Sequence, residues 1–158
     1  IIIFATLNFN SYYYLTPIIG ALFGFIILNW YPSKVFMGDT GSLFLGSYLT
    51  SLIFSSNDLT EIIKILFLCS PLLLDSLSCI FRRFFNGQNI FKSHKLHLYQ
   101  RLVSNGLSHS VVTSLYMATT IFLSLFYLFF NLFYFTIAVS FIIFLGIYID
   151  KKFAANFN

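Results

Sequence analysis

Apolar residues run along this chain in long blocks separated by short polar breaks. That pattern predicts membrane-crossing helices, each needing about 20 mostly apolar residues. Residues 1–9 read as the end of one span. An interfacial turn follows at Asn10-Ser11 and the Tyr12–Tyr14 cluster, where aromatic rings with polar tips settle. A span from about Thr16 to Trp30 carries Gly20-x-x-x-Gly24, a close-packing pattern for helix pairs. After the break Tyr31-Pro32-Ser33-Lys34, a span from about Gly41 to Phe54 sets Ser42, Gly46 and Thr50 four residues apart, a small-residue face for a neighbour. Ser55-Ser56-Asn57-Asp58 is a turn, and a further span covers about Ile62 to Phe81. Residues 82–109 form the only long polar stretch, and the last two spans, about Val111–Phe130 and Leu132–Ile149, meet in a tight hairpin at Asn131. The expectation is an all-α, polytopic transmembrane bundle of about five spans plus a partial N-terminal one, with one cytoplasmic loop at 82–109.

Composition excludes an ordinary soluble domain. Only 9% of the 158 residues are charged, 58% are hydrophobic and 21% aromatic, where a soluble domain carries roughly 25% charge. The chain opens on Ile1-Ile2-Ile3-Phe4 without an initiator Met or a basic leader, and is read as continuing a longer protein. Cys69 and Cys79 share one apolar segment, roughly 15 Å apart along a helix, and read as small, inert core residues. Alternating the connections places Lys34, Arg82, Arg83, Lys92, Lys95, Arg101, Lys151 and Lys152 on one side, eight of the nine basic residues, and only Lys64 on the other. The positive-inside bias makes the eight-residue side cytoplasmic.

The chain has five acids, and two stand out. Asp58 and Glu61 fall in an outer turn, and Asp150 reads as a solvated helix end beside two lysines. Asp39 opens a span, flanked by Gly38 and Gly41, where a ligand can approach the backbone closely. Backbone N–H groups at a helix start favour phosphate, and a carboxylate there suits Mg²⁺ bridging substrate phosphates. The plain alternative is a helix cap. Asp75 lies within a span, with Ser78 and Arg82 at i+3 and i+7 on its face. An ionisable group at that depth is either functional or held by an internal ion pair or hydrogen bond.

The basic loop holds the third cluster. If Ser93–Leu102 is helical, His94, His97 and Arg101 fall at i, i+3 and i+7 on one face, with Gly106 ending that helix and Ser108 capping the next span. Histidines and an arginine presented together suit a polyphosphate. The alternative is a juxtamembrane basic segment attracting anionic lipid. Zinc is not expected, since neither a Cys nor an acid joins the histidines locally.

Two of these segments carry a family resemblance. Phe36-Met37-Gly38-Asp39-Thr40-Gly41-Ser42-Leu43-Phe44-Leu45-Gly46 resembles the signature of the polyprenyl-phosphate N-acetylhexosamine-1-phosphate transferases, glycosyltransferase family 4. Ser93-His94-Lys95-Leu96-His97-Leu98-Tyr99-Gln100-Arg101-Leu102 resembles the family's histidine loop, in the expected order with two spans between and two after. Asp75 in Pro71-Leu72-Leu73-Leu74-Asp75, followed by Arg82-Arg83, fits the same pattern. The form His-x-x-His-Leu-Tyr-Gln-Arg is more like branches that start O-antigen or capsule-type glycans than the phospho-N-acetylmuramoyl-pentapeptide transferases.

The resemblance implies transfer of N-acetylhexosamine-1-phosphate from a UDP-sugar to a polyprenyl phosphate, starting a lipid-linked glycan of O-antigen, capsule or cell-wall type. It makes Asp39 a catalytic residue and the Mg²⁺ ligand, with Mn²⁺ as an alternative ion. His97 and Arg101 would be catalytic, and His94, His97, Arg101 and Asp75 substrate-binding. The implied setting is the bacterial cytoplasmic (inner) membrane, multi-pass, with no nucleic-acid partner and room for a homodimer. The family's paired-aspartate motif and its Asn…Asp-Gly-x-Asp-Gly motif are absent from these 158 residues. Residues 1–158 therefore read as the C-terminal part of one transmembrane transferase domain, inactive alone. The competing reading is a non-enzymatic membrane protein, a transporter half or assembly subunit, with a lipid-binding basic loop.

Overall fold

The computed structural model describes residues 1–9, 13–30, 33–92 and 94–157, excepting the side chains of Asn8 and Phe9. The expected turn at Asn10, Ser11 and Tyr12, the Tyr31-Pro32 step and Ser93 lie outside the described residues. All regular structure among the described residues is helical: α1 (Ile2–Phe9), a 3₁₀ turn (Tyr13–Leu15), α2 (Thr16–Asn29), α3 (Gly38–Ser55), α4 (Leu59–Leu68), α5 (Ser70–Phe85), α6 (Leu98–Ser104), α7 (His109–Phe129) and α8 (Leu132–Phe153). The chain divides into two compact units, 1–66 and 67–158.

In the first unit, α1 packs on the 3₁₀ turn and on α2. The chain after α2 folds back on its end, where the Lys34 N–H donates to Leu28 O at 2.9 Å and Asn29 Nδ2 donates to Val35 O at 2.8 Å. Gly38, at φ 65°, then turns into α3 in a conformation that favours glycine. The small-residue faces expected to receive a neighbour are uncovered: among the described residues nothing lies within 4 Å of a Cβ built on Gly20, Gly24 or Gly46. Ser42 and Thr50 instead donate to carbonyls of their own helix.

In the second unit, α7 packs along α8, α5 touches both, and α6 lies against α7 and α8. Its core is aromatic: Phe135 is fully buried and meets Phe67 and Tyr127 edge-on at 5.9 and 6.3 Å. The expected punctuation is in place. Gly106, at φ 100°, follows α6. Ser108 Oγ accepts the Val111 N–H at the start of α7, and Asn131 Oδ1 accepts the Tyr134 N–H at the start of α8.

This is a membrane protein of the all-α class. Its helix α5 is inverted relative to a soluble helix: Asp75, Cys79 and Arg83 are buried at four-residue spacing, while Leu72, Leu77, Ile80, Phe81 and Phe84 are exposed. Two described helices, α7 and α8, are long and apolar enough to cross a bilayer, and α4 with α5 makes a third if the bent pair counts as one span. The other expected spans fall short of that test. The 14 residues of α2 rise roughly 21 Å against a core of about 30 Å, and α3 is diluted by Gly, Ser, Thr and Asp. The segment expected as one span, about Ile62 to Phe81, is broken at Cys69 with a 73° turn of the axis. Pro71 accounts for the break, since it lacks an amide proton and its ring excludes the carbonyl four residues earlier.

Candidate functional site

In the first unit, the Met37–Gly41 segment builds a helix start around Asp39. Met37 is the residue before the helix, and its side chain folds so close over Gly41 that a Cβ there would meet Met37 Cγ at 2.4 Å. A Cβ at position 41 would therefore push the Met37 side chain aside. Asp39 sits in the first turn, exposed, and no side chain caps this helix. The capping reading of Asp39 is thus not what the chain adopts. Its carboxylate makes no ion pair or hydrogen bond among the described residues, so a hard oxygen donor is presented at a helix N-terminus. That donor chemistry fits Mg²⁺, which takes one or two carboxylates and completes its shell with water and phosphate.

In the second unit, three polar arrangements meet. The first is Asp75, 9% exposed on α5. Its Oδ1 accepts the Leu98 N–H at 2.8 Å, and its Oδ2 accepts the Tyr116 hydroxyl of α7 at 3.1 Å. One buried carboxylate thereby ties the start of α6 and the middle of α7 to α5, so the internal hydrogen-bond reading of Asp75 is realised.

The second is the histidine turn. Helix α6 begins only at Leu98, so His94 and His97 precede it and the expected shared helical face with Arg101 does not form. The turn brings the rings together all the same, with centroids 5.2 Å apart. The His97 N–H donates to Gln100 Oε1 at 3.2 Å, its ring stacks on Tyr99, and its Nδ1 lies 3.9 Å from Asp75 Oδ1. His94 Nδ1 accepts the Leu96 N–H at 3.4 Å and faces Cys79 Sγ at 3.8 Å. Desolvation, with the positive charge of Arg83 and His97, pushes the His94 imidazole below its usual range and favours the neutral ring. Cys79 comes from 15 residues upstream, so a thiol does join the histidines through space, against the local reading of the loop.

The third is a paired-arginine cluster on Asp150. Arg82 donates to Asp150 Oδ2 and Arg101 to Oδ1. Arg101 also donates to Ala155 O at 2.8 Å, and the Phe157 ring lies 5.2 Å from its guanidinium carbon. Asp150 is therefore not a solvated helix end: its side chain is 10% exposed and serves as counter-ion to two arginines. Arg101 is buried rather than displayed, and its Nε–H has no hydrogen-bond partner among the described residues. The clue in the sequence was scarcity: buried arginines need a carboxylate, and only five acids exist.

Asp75, Arg82, Arg101 and Asp150 border a cavity of about 380 Å³ between α5, α7 and α8. Leu74, Leu77, Leu115, Ile142 and Ile143 wall it, and Arg82 and Asp150 are its last lining residues on α5 and α8, where Arg101 joins them.

Comparison with known proteins bears on both ends of the sequence reading. Residues 1–57, which contain the Asp39 segment, match the family described as Glycosyl transferase family 4. The chain is 38% identical over 96 residues, 58% of its own length, to the "Probable undecaprenyl-phosphate N-acetylglucosaminyl 1-phosphate transferase" of Bacillus subtilis. It is 40% identical over 88 residues, 56% of its length, to the phospho-N-acetylmuramoyl-pentapeptide-transferase of Bacteroides thetaiotaomicron.

These matches place residues 1–57 in glycosyl transferase family 4.

The likeness to the transferase of that second name from Fervidobacterium nodosum runs longer, 33% over 119 residues and 73% of this chain. The matched stretches span 27%, 20% and 37% of these three relatives. No solved structure matches the chain. Within the family frame, Asp39 stands in the matched segment, while Asp75, His94, His97 and Arg101 gather in the second unit. The residues that sequence reasoning missed as parts of this cluster are Cys79, Tyr116 and Asp150.

Proposed function

We propose that this protein takes part in transferring N-acetylhexosamine-1-phosphate from a UDP-sugar to a polyprenyl phosphate, starting a lipid-linked glycan. A lipid phosphate oxygen attacks the β-phosphorus of the nucleotide sugar. The bond from that phosphorus to the α–β bridging oxygen breaks, UMP leaves with the oxygen, and a polyprenyl-diphosphate sugar results. The observation that carries this reading is the cavity of the second unit: it is apolar along its helices, as a prenyl chain needs, and ends at Arg82 and Arg101. The buried, unpartnered Nε–H of Arg101 is a donor that a phosphate oxygen would satisfy.

Phosphoryl transfer is mostly positioning and charge neutralisation. His94 and His97 offer imidazole donors to the nucleotide-sugar phosphates, and Asp75 holds the turn that presents them through its bond to the Leu98 amide. Asp39 would hold Mg²⁺, which would neutralise diphosphate charge when bound. The protein sits across the bacterial inner membrane several times, with residues 82–109 in the cytoplasm where nucleotide sugars are made.

The test is transfer from radiolabelled UDP-N-acetylglucosamine to undecaprenyl phosphate by the full-length purified protein. Asp39→Asn and His97→Ala should each cost on the order of 100-fold in turnover, with unchanged elution on size exclusion. Wild-type rates in both variants would remove these residues from the site. A protein that binds anionic vesicles but transfers nothing would favour the lipid-binding reading of the loop.

A further inference from the structure

We infer that Cys79, His94 and His97 form a binding site for a soft divalent transition metal of the zinc class. The ligand atoms of these three side chains all lie within 4.8 Å of one another. Zn–S and Zn–N bonds of about 2.3 and 2.0 Å in a tetrahedron put sulfur and nitrogen ligands roughly 3.6 Å apart, and Cys79 Sγ stands 3.8 Å from His94 Nδ1. That pair is thus close to ligand spacing before any ion enters.

His94 Nδ1 accepts the Leu96 N–H at 3.4 Å, a long bond that an ion at this nitrogen would replace, and it lies on the Cys79 thiol. His97 Nδ1 lies 3.9 Å from Asp75 Oδ1, so a ring that binds an ion through Nε2 has a carboxylate behind it. A carboxylate behind an imidazole is the outer support that metal-binding histidines use, because it fixes the tautomer and raises ring basicity. Asp75 is itself fixed by Leu98 N–H and Tyr116, so this support is rigid. Three protein ligands leave the fourth position to water or an incoming group.

The pairing of thiol and imidazoles selects against the hard ion assigned to Asp39. Mg²⁺ demands oxygen ligands, whereas thiolate and imidazole suit zinc, cobalt or copper. Binding releases the Cys79 thiol proton to solvent and uses both imidazoles as neutral ligands. Resting on the proposed function, one consequence follows: an ion here takes the rings offered to the nucleotide-sugar phosphates, so zinc inhibits transfer.

The binding test needs no activity. Purified protein, freed of metal with a chelator, is titrated with Co²⁺ in Mg²⁺ buffer and followed by absorbance. A thiolate-to-cobalt charge-transfer band in the near ultraviolet should saturate at one ion per chain and vanish on adding Zn²⁺. Cys79→Ser should abolish the band, and Cys69→Ser should leave it intact. His94→Gln keeps the thiolate and should weaken Co²⁺ by roughly tenfold or more, which covers the case of a misfolded Cys79→Ser protein. Absence of the band, its survival in Cys79→Ser, or unchanged affinity in His94→Gln overturns the site. If Co²⁺ and Zn²⁺ bind as stated but Zn²⁺ does not slow transfer, the metal site stands and the phosphate role of the histidines fails.

Discussion

Asp150→Asn gives the sharpest test of how the second unit is held together. Asn keeps the shape of Asp150 and one acceptor oxygen but removes the carboxylate bound to both Arg82 and Arg101. The two arginines are not equivalent. The Arg101 side chain is 8% exposed and that of Arg82 is 40% exposed. Leaving a buried charge without its partner costs about 3–5 kcal/mol, whereas a pair open to water is worth about 1 kcal/mol or less. Arg101 would keep Ala155 O and the Phe157 ring, which offset part of the loss. We expect about 3 kcal/mol for Asp150→Asn, mostly from the Arg101 arm. At about 2–4 °C per kcal/mol for a chain of this size, the melting temperature falls by about 6–12 °C. Arg82→Gln removes only the exposed arm and should cost about 4 °C or less. The assay is the surviving monodisperse fraction on size exclusion after heating in detergent. A shift for Asp150→Asn no larger than that for Arg82→Gln would mean that the Arg101 charge is not desolvated, and the ion-pair account would fail.

Two further outcomes separate the readings of the basic loop. Arg101→Lys should sharply lower transfer, because a single nitrogen cannot span the positions that Arg101 reaches with three: Nη1 on Ala155 O, Nη2 on Asp150 and a free Nε–H for phosphate. Lys92→Ala and Lys95→Ala, both exposed, should change it little; equal, salt-screened losses at all three positions would make the loop a lipid sensor. In cysteine-accessibility labelling, a probe at position 57 should react with impermeant reagent from outside and one at position 88 should not, and the reverse pattern would invert the topology.

What the sequence determined by itself was whatever depends on neighbours along the chain. Long apolar blocks demanded helices in lipid, because backbone polar groups there must be satisfied within the segment. Gly106, Ser108 and Asn131 marked helix ends through turn and cap chemistry acting over two or three residues. The Phe36–Gly46 segment and the His94–Arg101 loop carried the family resemblance, and the match over residues 1–57 supports the first of these.

Tertiary structure alone decided how the ionisable groups are shared. Asp150 looks like a frayed, solvated helix end beside Lys151 and Lys152, and becomes the anchor of two arginines only when α8 meets α5 and α6. Cys79 is an unremarkable small apolar residue in α5 until the turn at residues 94–97 lays two imidazoles against it. Asp75 was visible as an ionisable group in a span, but its choice between a function and a hydrogen bond needed Tyr116 and the Leu98 amide, 41 and 23 residues away. The physical reason is common to all three. Burying a charge or a polar atom is costly, and the partner that offsets the cost need only be near in space. Helical periodicity predicts which residues share a face, but not which face of another helix will meet it.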